Sequence, residues 1–269
     1  MELRRLALEA LCNRDPAAKA AAARTLGSQQ WPVDCTALLR PEAPLPGRPA
    51  RPRLLPPTQV PSRSPFTIAG RAALLHAVAH IEFNAINLAL DAVWRFAGMP
   101  EAYYRDWQRV AAEEALHFSL LCEHLATLGC RYGDHDAHDG LWVMTERTAH
   151  DITARMALVP RTLEARGLDA TPPMQAKLAR AGDERAVAIL EIILRDEVGH
   201  VAVGNHWYRW LCDRQGLDPL AHYARLVEQY DAPRPRPPFN EPARRAAGFS
   251  GAEIAALAQP GASPAAPGR

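Results

Sequence analysis

Between about residue 66 and residue 215, apolar positions recur at three- and four-residue steps, the repeat of a helix with one buried stripe. The first helix of this region runs roughly from Ile68 to Phe96, with Leu75, Val78, Ala79, Ile86, Leu90 and Val93 on one stripe. It stops near Gly98–Pro100. A second helix, about Pro100 to Leu128, opens on Pro100 and Glu101 and ends at Gly129. The third runs about Leu141 to Arg166 and ends at Gly167, with Pro160 inside it as a kink or a lost backbone bond. Thr171-Pro172-Pro173 then caps a short helix, and Asp183 caps a fourth long one reaching about Cys212. The pattern predicts an all-α protein built on an antiparallel four-helix bundle.

The flanks differ in composition. Residues 2–29 read as two short helices, the second opened by Pro16. Nine of the 25 residues from Pro41 to Pro65 are proline, so an extended polyproline arm is expected, either free or wrapped along the bundle. After 215 come a Pro-Arg run, a short helix near 241–258 and a disordered end. The expected organisation is therefore 1–65 as N-terminal helices and arm, 66–215 as the bundle, and 216–269 as a C-terminal extension.

Charge and cysteine content narrow the classes. The formal net charge of +1 implies no overall pull towards nucleic acid or anionic membrane. The arginines at 48, 51 and 53 and the PRPRPP run read as solvated spacers between prolines. The five scattered cysteines form no Cys-x-x-Cys pair, which argues against a disulfide framework or thiolate zinc site and for reduced thiols in a cytoplasmic setting. No signal-peptide pattern follows Arg4 and Arg5. Charges interrupt the apolar stretches before the ~20 residues needed to span a bilayer, so no membrane partner is expected.

Candidate chemistry comes from one motif that occurs twice. Glu113-Glu114-Ala115-Leu116-His117 lies in the second helix and Asp196-Glu197-Val198-Gly199-His200 in the fourth. Residues three apart share a helical face, so Glu114 converges with His117 and Glu197 with His200. A bundle that binds two iron or manganese ions takes such a motif from two helices and one inward glutamate from each of the others. Carboxylate and imidazole donors without thiolate suit those metals. A ligating histidine also needs its second ring nitrogen held, and Glu113 towards His200 with Asp196 towards His117 supplies that in a crossed arrangement.

The first helix offers Glu82. It precedes Gly98 by 16 residues and Glu114 follows Gly98 by 16, so antiparallel packing sets the two at one height. In the third helix Glu146, Asp151 and Glu164 are candidates. Glu164 is preferred because Pro160 marks an irregularity nearby, although it stands close to the helix end at Gly167. His76 and His80 read as satisfied core or surface residues, and His135 and His138 as solvated loop residues. His124, His150 and His206 have no partner motif, and Tyr103, Tyr104, Trp107, Phe118 and Trp207 read as core or interface aromatics.

The stretches LLHAVAHIEFNAINLALD, DWQRVAAEEALHF, HDGLW, RMALVPRTLEARGLD, ILRDEVGHVAVGNHW and PPFNEPARRAAGF resemble a bacterial ferritin-like family labelled a domain of unknown function, over roughly residues 45–250. More distantly the chain is similar to the tRNA hydroxylase that modifies isopentenylated adenosine, and to rubrerythrin. The resemblance implies a ferritin-like bundle with a di-metal site at Glu82, Glu114, His117, Glu164, Glu197 and His200, and it favours Glu164 in the third helix. It names no substrate. Three functions follow as expectations: a di-iron or di-manganese protein activating O2 to oxidise a small molecule or modified nucleoside with an outside electron donor; a ferroxidase or peroxide-removing iron handler; and a non-catalytic helical module. A homodimer is compatible with all three.

Overall fold

The computed structural model describes residues 1–61 and 64–259. Helix α1 (Leu3–Cys12) and helix α2 (Pro16–Gly27) lead in, α2 capped by the Asp15 side chain and opened by Pro16. The bundle proper begins with α3 (Ile68–Arg95), capped by Thr67, and α4 (Glu101–Thr127). These two pack antiparallel along their length, with α1 and α2 laid against them. From Glu82 to Trp94 every residue of α3 is buried, so over this half its burial runs all the way round rather than along one stripe.

By length and composition α3 could cross a membrane, with mean hydropathy 1.3 over its most apolar window, but 78% of that window is buried inside the protein. Such burial is that of the core helix of a soluble protein.

The third helix is more broken at its start, and longer at its end, than the sequence suggests. Helix α5 (Gly140–Arg147) is separated by a turn from α6 (Ile152–Leu158), whose N-cap is Asp151. A six-residue π-helical segment, Val159–Glu164, follows. Pro160 has no N–H to continue the α ladder, and the wider turn absorbs the gap, with Ala165 N–H reaching back to Pro160 O. Helix α7 (Ala165–Arg180) then runs straight through Gly167 and Thr171-Pro172-Pro173, where a stop and a restart were expected. The carbonyl of Leu168 that Pro172 leaves without its α-helical donor accepts from Asn240 Nδ2 at 3.1 Å. A distant segment thus repairs a break that local rules call for.

Gly167 lies against Glu197: a Cβ there would sit 3.4 Å from Glu197 Oε1, an ordinary contact distance. Helix α8 (Glu184–Arg214), capped by Asp183, pairs with α7 and also packs on α4. Its Gly204 lets the π segment approach, since a Cβ at that position would lie 2.6 Å from Pro160 Cβ.

The proline-rich arm lies along the bundle. Lys19 Nζ donates to Gly47 O at 2.8 Å, and Arg48 and Arg53 pair with Asp139 and Asp136. A parallel β-bridge joins Leu54 to Ala137. Arg48 is therefore an anchor, where a solvated spacer was expected, while Arg53 stays mostly exposed although it is paired. Beyond α8 stands a helix that the sequence reading omitted, α9 (Pro219–Gln229), although Asp218 caps it and Pro219 opens it. The single helix expected near 241–258 is two, α10 (Glu241–Ala246) and α11 (Gly251–Ala258). The disorder expected at the end falls on residues 260–269, outside the described residues. All five cysteines are free thiols.

The Gly204–Pro160 contact generates a prediction. Gly204→Ala adds a methyl where there is no room and is expected to destabilise the fold by roughly 1–3 kcal/mol, read as a lower urea midpoint.

Candidate metal centre

Four elements each contribute to one buried polar pocket in the bundle core. Glu82 comes from α3, Glu114 and His117 from α4, Glu164 from the end of the π segment, and Glu197 and His200 from α8. Glu82, Glu114, His117, Glu164 and His200 are buried, and Glu197 nearly so. The antiparallel crossing at Gly98 sets Glu82 beside the α4 motif. His117 Nδ1 lies 3.2 Å from Glu82 Oε2 and 3.4 Å from Glu114 Oε2. Across the pocket, His200 Nδ1 lies 2.8 Å from Glu114 Oε1 and 3.0 Å from Glu197 Oε2. The site is thus two clusters, Glu82-Glu114-His117 and Glu114-Glu197-His200, that share Glu114 and that could each hold a metal ion. The imidazole rings stand 5.8 Å apart between centroids.

Both histidines turn Nδ1 inward and Nε2 outward. His117 Nε2 is 3.1 Å from Asp196 Oδ2, and His200 Nε2 is 2.8 Å from Glu113 Oε2. Each motif's leading acid therefore holds the other motif's histidine. Both acids also meet arginine: Arg195 Nε donates to Asp196 Oδ1 at 2.8 Å, and Arg109 stands 3.8 Å from the Glu113 oxygen that holds His200. These arginines, with the spacer glycines, are what sequence reasoning overlooked. Their only signal is position, one residue before Asp196 and one helical turn before Glu113.

Glu164 belongs to neither tight cluster. It borders them closely enough that burial, then the charges of Glu197 and Glu114, raise its pKa well above the carboxylate range. The earlier concern about its height disappears because α7 continues to Arg180. The turn lies near Gly182, 18 residues after Glu164 and 15 before Glu197. The other candidates on this stretch have different tasks. Glu146 accepts from Trp142 Nε1 at 2.7 Å, and Asp151 caps α6.

The electrostatics show a site with too much negative charge for its surroundings. Burial and the Glu114 charge push Glu82 up, and burial pushes Glu197 up. Burial alone would depress His117 and His200. For both, the surrounding glutamates outweigh it and hold the imidazoles protonated far above their usual range. Burial would likewise raise Glu114, but His200 and His117 overcome it and keep that carboxylate ionised. Among the described residues, Glu164 Oε2 has no hydrogen-bond partner although it is buried. Two divalent ions would carry the charge that offsets four buried carboxylates, so the two clusters could hold cations. The donor set fits iron or manganese.

The other histidines take ordinary roles. His76 Nε2 accepts from Gly133 N–H at 2.8 Å, His80 Nδ1 meets Tyr132 OH at 2.9 Å, and His124 Nε2 pairs with Asp183 at 2.8 Å.

An all-helical protein with two overlapping Glu-Glu-His clusters in its core is the class that fold and site define. Within it, the chain belongs to the family described as "Protein of unknown function (DUF455)", whose model matches residues 12–255. A relative from Haemophilus influenzae, described as "Uncharacterized protein", is 54% identical over 213 residues, which is 77% of this chain and 74% of that protein. No solved structure matches the chain.

Two predictions follow. Asp196→Ala frees His117 Nε2 and is expected to weaken metal binding about 10–100-fold, measured by competition with a fluorescent chelator. Because both imidazoles hold protons that a metal must displace, binding is expected to release protons and to weaken as pH falls from neutrality towards 5. Calorimetry in buffers of different ionisation enthalpy checks the released protons.

Proposed function

We propose that this protein is a non-haem di-iron, or di-manganese, oxidoreductase that activates O2 to oxidise or hydroxylate a small organic substrate, drawing electrons from an outside donor. The observation that carries the reading is the shared carboxylate: Glu114 offers one oxygen to each cluster, so ions held there would be bridged. Glu82 and His117 would complete one ion's protein ligands, and Glu197 and His200 the other's. Glu164, with its unpartnered oxygen, would close the set on the remaining side. Held by these residues, two ferrous ions would supply two electrons to O2, with the outside donor returning them to the ferrous state.

The chain's own residues do the rest. Glu113 and Asp196 fix both rings with Nδ1 inward, which sets the tautomer. Glu82, Glu114 and Glu164 are themselves buried in the bundle core, which keeps bulk water from their carboxylates. No thiolate lies among the donors, and the free cysteines supply no Cys-x-x-Cys electron carrier. That supports an oxidase or hydroxylase served by another protein over a self-contained peroxide reductase. A cytoplasmic location accords with the free thiols.

The test is anaerobic loading with ferrous iron followed by exposure to O2, watched by absorption and Mössbauer spectroscopy. Two irons per chain and a coupled diferric product are expected, and Glu114→Ala is expected to lose the coupled product while keeping the helical fold. Iron oxidation that no organic compound accelerates would move the reading to iron handling. A protein that takes up no stoichiometric metal would end it.

A further inference from the structure

The two clusters differ in how the protein covers them. Glu82 stands on α3 among Val78, Ala79, Ala85 and Ile86, all buried, and is buried itself. Glu197 stands in a run of six residues of α8, 194–199, none of which is buried. Six residues exceed one helical turn, so at this height no residue of α8 is sealed from solvent. Of the six candidate ligands Glu197 alone is not buried, its side chain 12% exposed against 8% for Glu82.

Two further features open the same cluster. A Cβ built on Gly167 of α7 would lie 3.4 Å from Glu197 Oε1, so at that point α7 presents a hydrogen and no side chain to this oxygen. Gly167 is itself only part-buried. Glu113, the acid that holds His200, is 31% exposed and borders a groove of about 560 Å3 between the end of α2 and α4. Its counterpart Asp196, which holds His117, is 14% exposed.

We propose that the ion position made by Glu197 and His200 is the exchangeable one, filled and emptied past Gly167 with Glu197 as the entry ligand, while the position made by Glu82 and His117 is the resident one. This rests on the two-ion reading of the centre. A hydrated divalent ion sheds its waters as protein oxygens replace them, so its first contact is a carboxylate that solvent already reaches. Glu197 is such a carboxylate. Its Oε2 stands 3.0 Å from His200 Nδ1 inside the cluster, and its Oε1 lies towards Gly167. An ion at Glu82 and His117 has the shared Glu114 on one side and the buried stretch of α3 on the other. Arg109 and Arg195, near the rim, are matched by Glu113 and Asp196, so no excess positive charge opposes a cation there.

The test loads the full chain with manganous ion, counts bound metal by elemental analysis and follows its release to an excess of a coloured chelator. Two ions per chain are expected, leaving in two equal phases that differ at least about tenfold in rate, or about 1.4 kcal/mol in barrier. Glu197→Gln is expected to remove the fast phase and Glu82→Gln the slow one. Gly167→Leu, a change that favours helix, sets a side chain beside Glu197 Oε1. It is expected to slow the fast phase at least about fivefold with two ions still bound. Release of two ions in a single phase overturns the inference alone. So does a fast phase that survives Glu197→Gln, or a folded Gly167→Leu protein that releases metal at the parent rate. Uptake of no metal overturns the inference together with the two-ion reading, and the metal count tells the two failures apart.

Discussion

Four carboxylates buried in a helical core are the constraint on which the rest of the structure depends. Each ionised carboxyl taken from water costs several kcal/mol unless it is paired, and two imidazoles cannot pair with four. The surroundings respond with protons: the histidines are held charged, and Glu82, Glu164 and Glu197 are pushed towards their neutral forms. Protons and metal ions compete for the same lone pairs, so the same crowding that raises these pKa values creates affinity for cations. The outer acids Glu113 and Asp196 extend that logic to the surface, each passing from an inner histidine to an arginine.

Holding the four helices around this charge requires close approach. Gly204 on α8 receives the ring of Pro160. There the π segment widens one turn of the third strut and delivers Glu164 to the pocket. Neither Gly204 nor Pro160 is a strong helix-forming choice. Here the site, rather than local propensity, dictates the residue.

The flanking segments complete the bundle. Asn240 and Arg244 of the C-terminal extension attach to Leu168 O and to Asp169 on α7, and Arg244 lies over Phe239 and Phe249. This extension supports the stretch of α7 that its own prolines weaken. At the other end, Lys19 reaches across from α2 to both the arm and Asn87 of α3. Both flanks bury charged side chains against the bundle, which ties them to it more specifically than apolar contact would.

By itself the sequence determined the all-α class, the cap at Asp183 and both Glu-x-x-His motifs. Each of these depends on residues within one or two helical turns, and local spacing encodes them completely. Glu82 was legible because two equal spans around Gly98 turn an antiparallel crossing into arithmetic. The continuation of α7 through Pro172-Pro173 was not, because its missing donor comes from Asn240, far along the chain. Nor was the role of Gly204, whose missing Cβ makes room for the ring of Pro160. The course of the proline-rich arm depended likewise on aspartates at 136 and 139. Only tertiary structure decides such features, since their stabilising partners come from segments whose proximity no local pattern records.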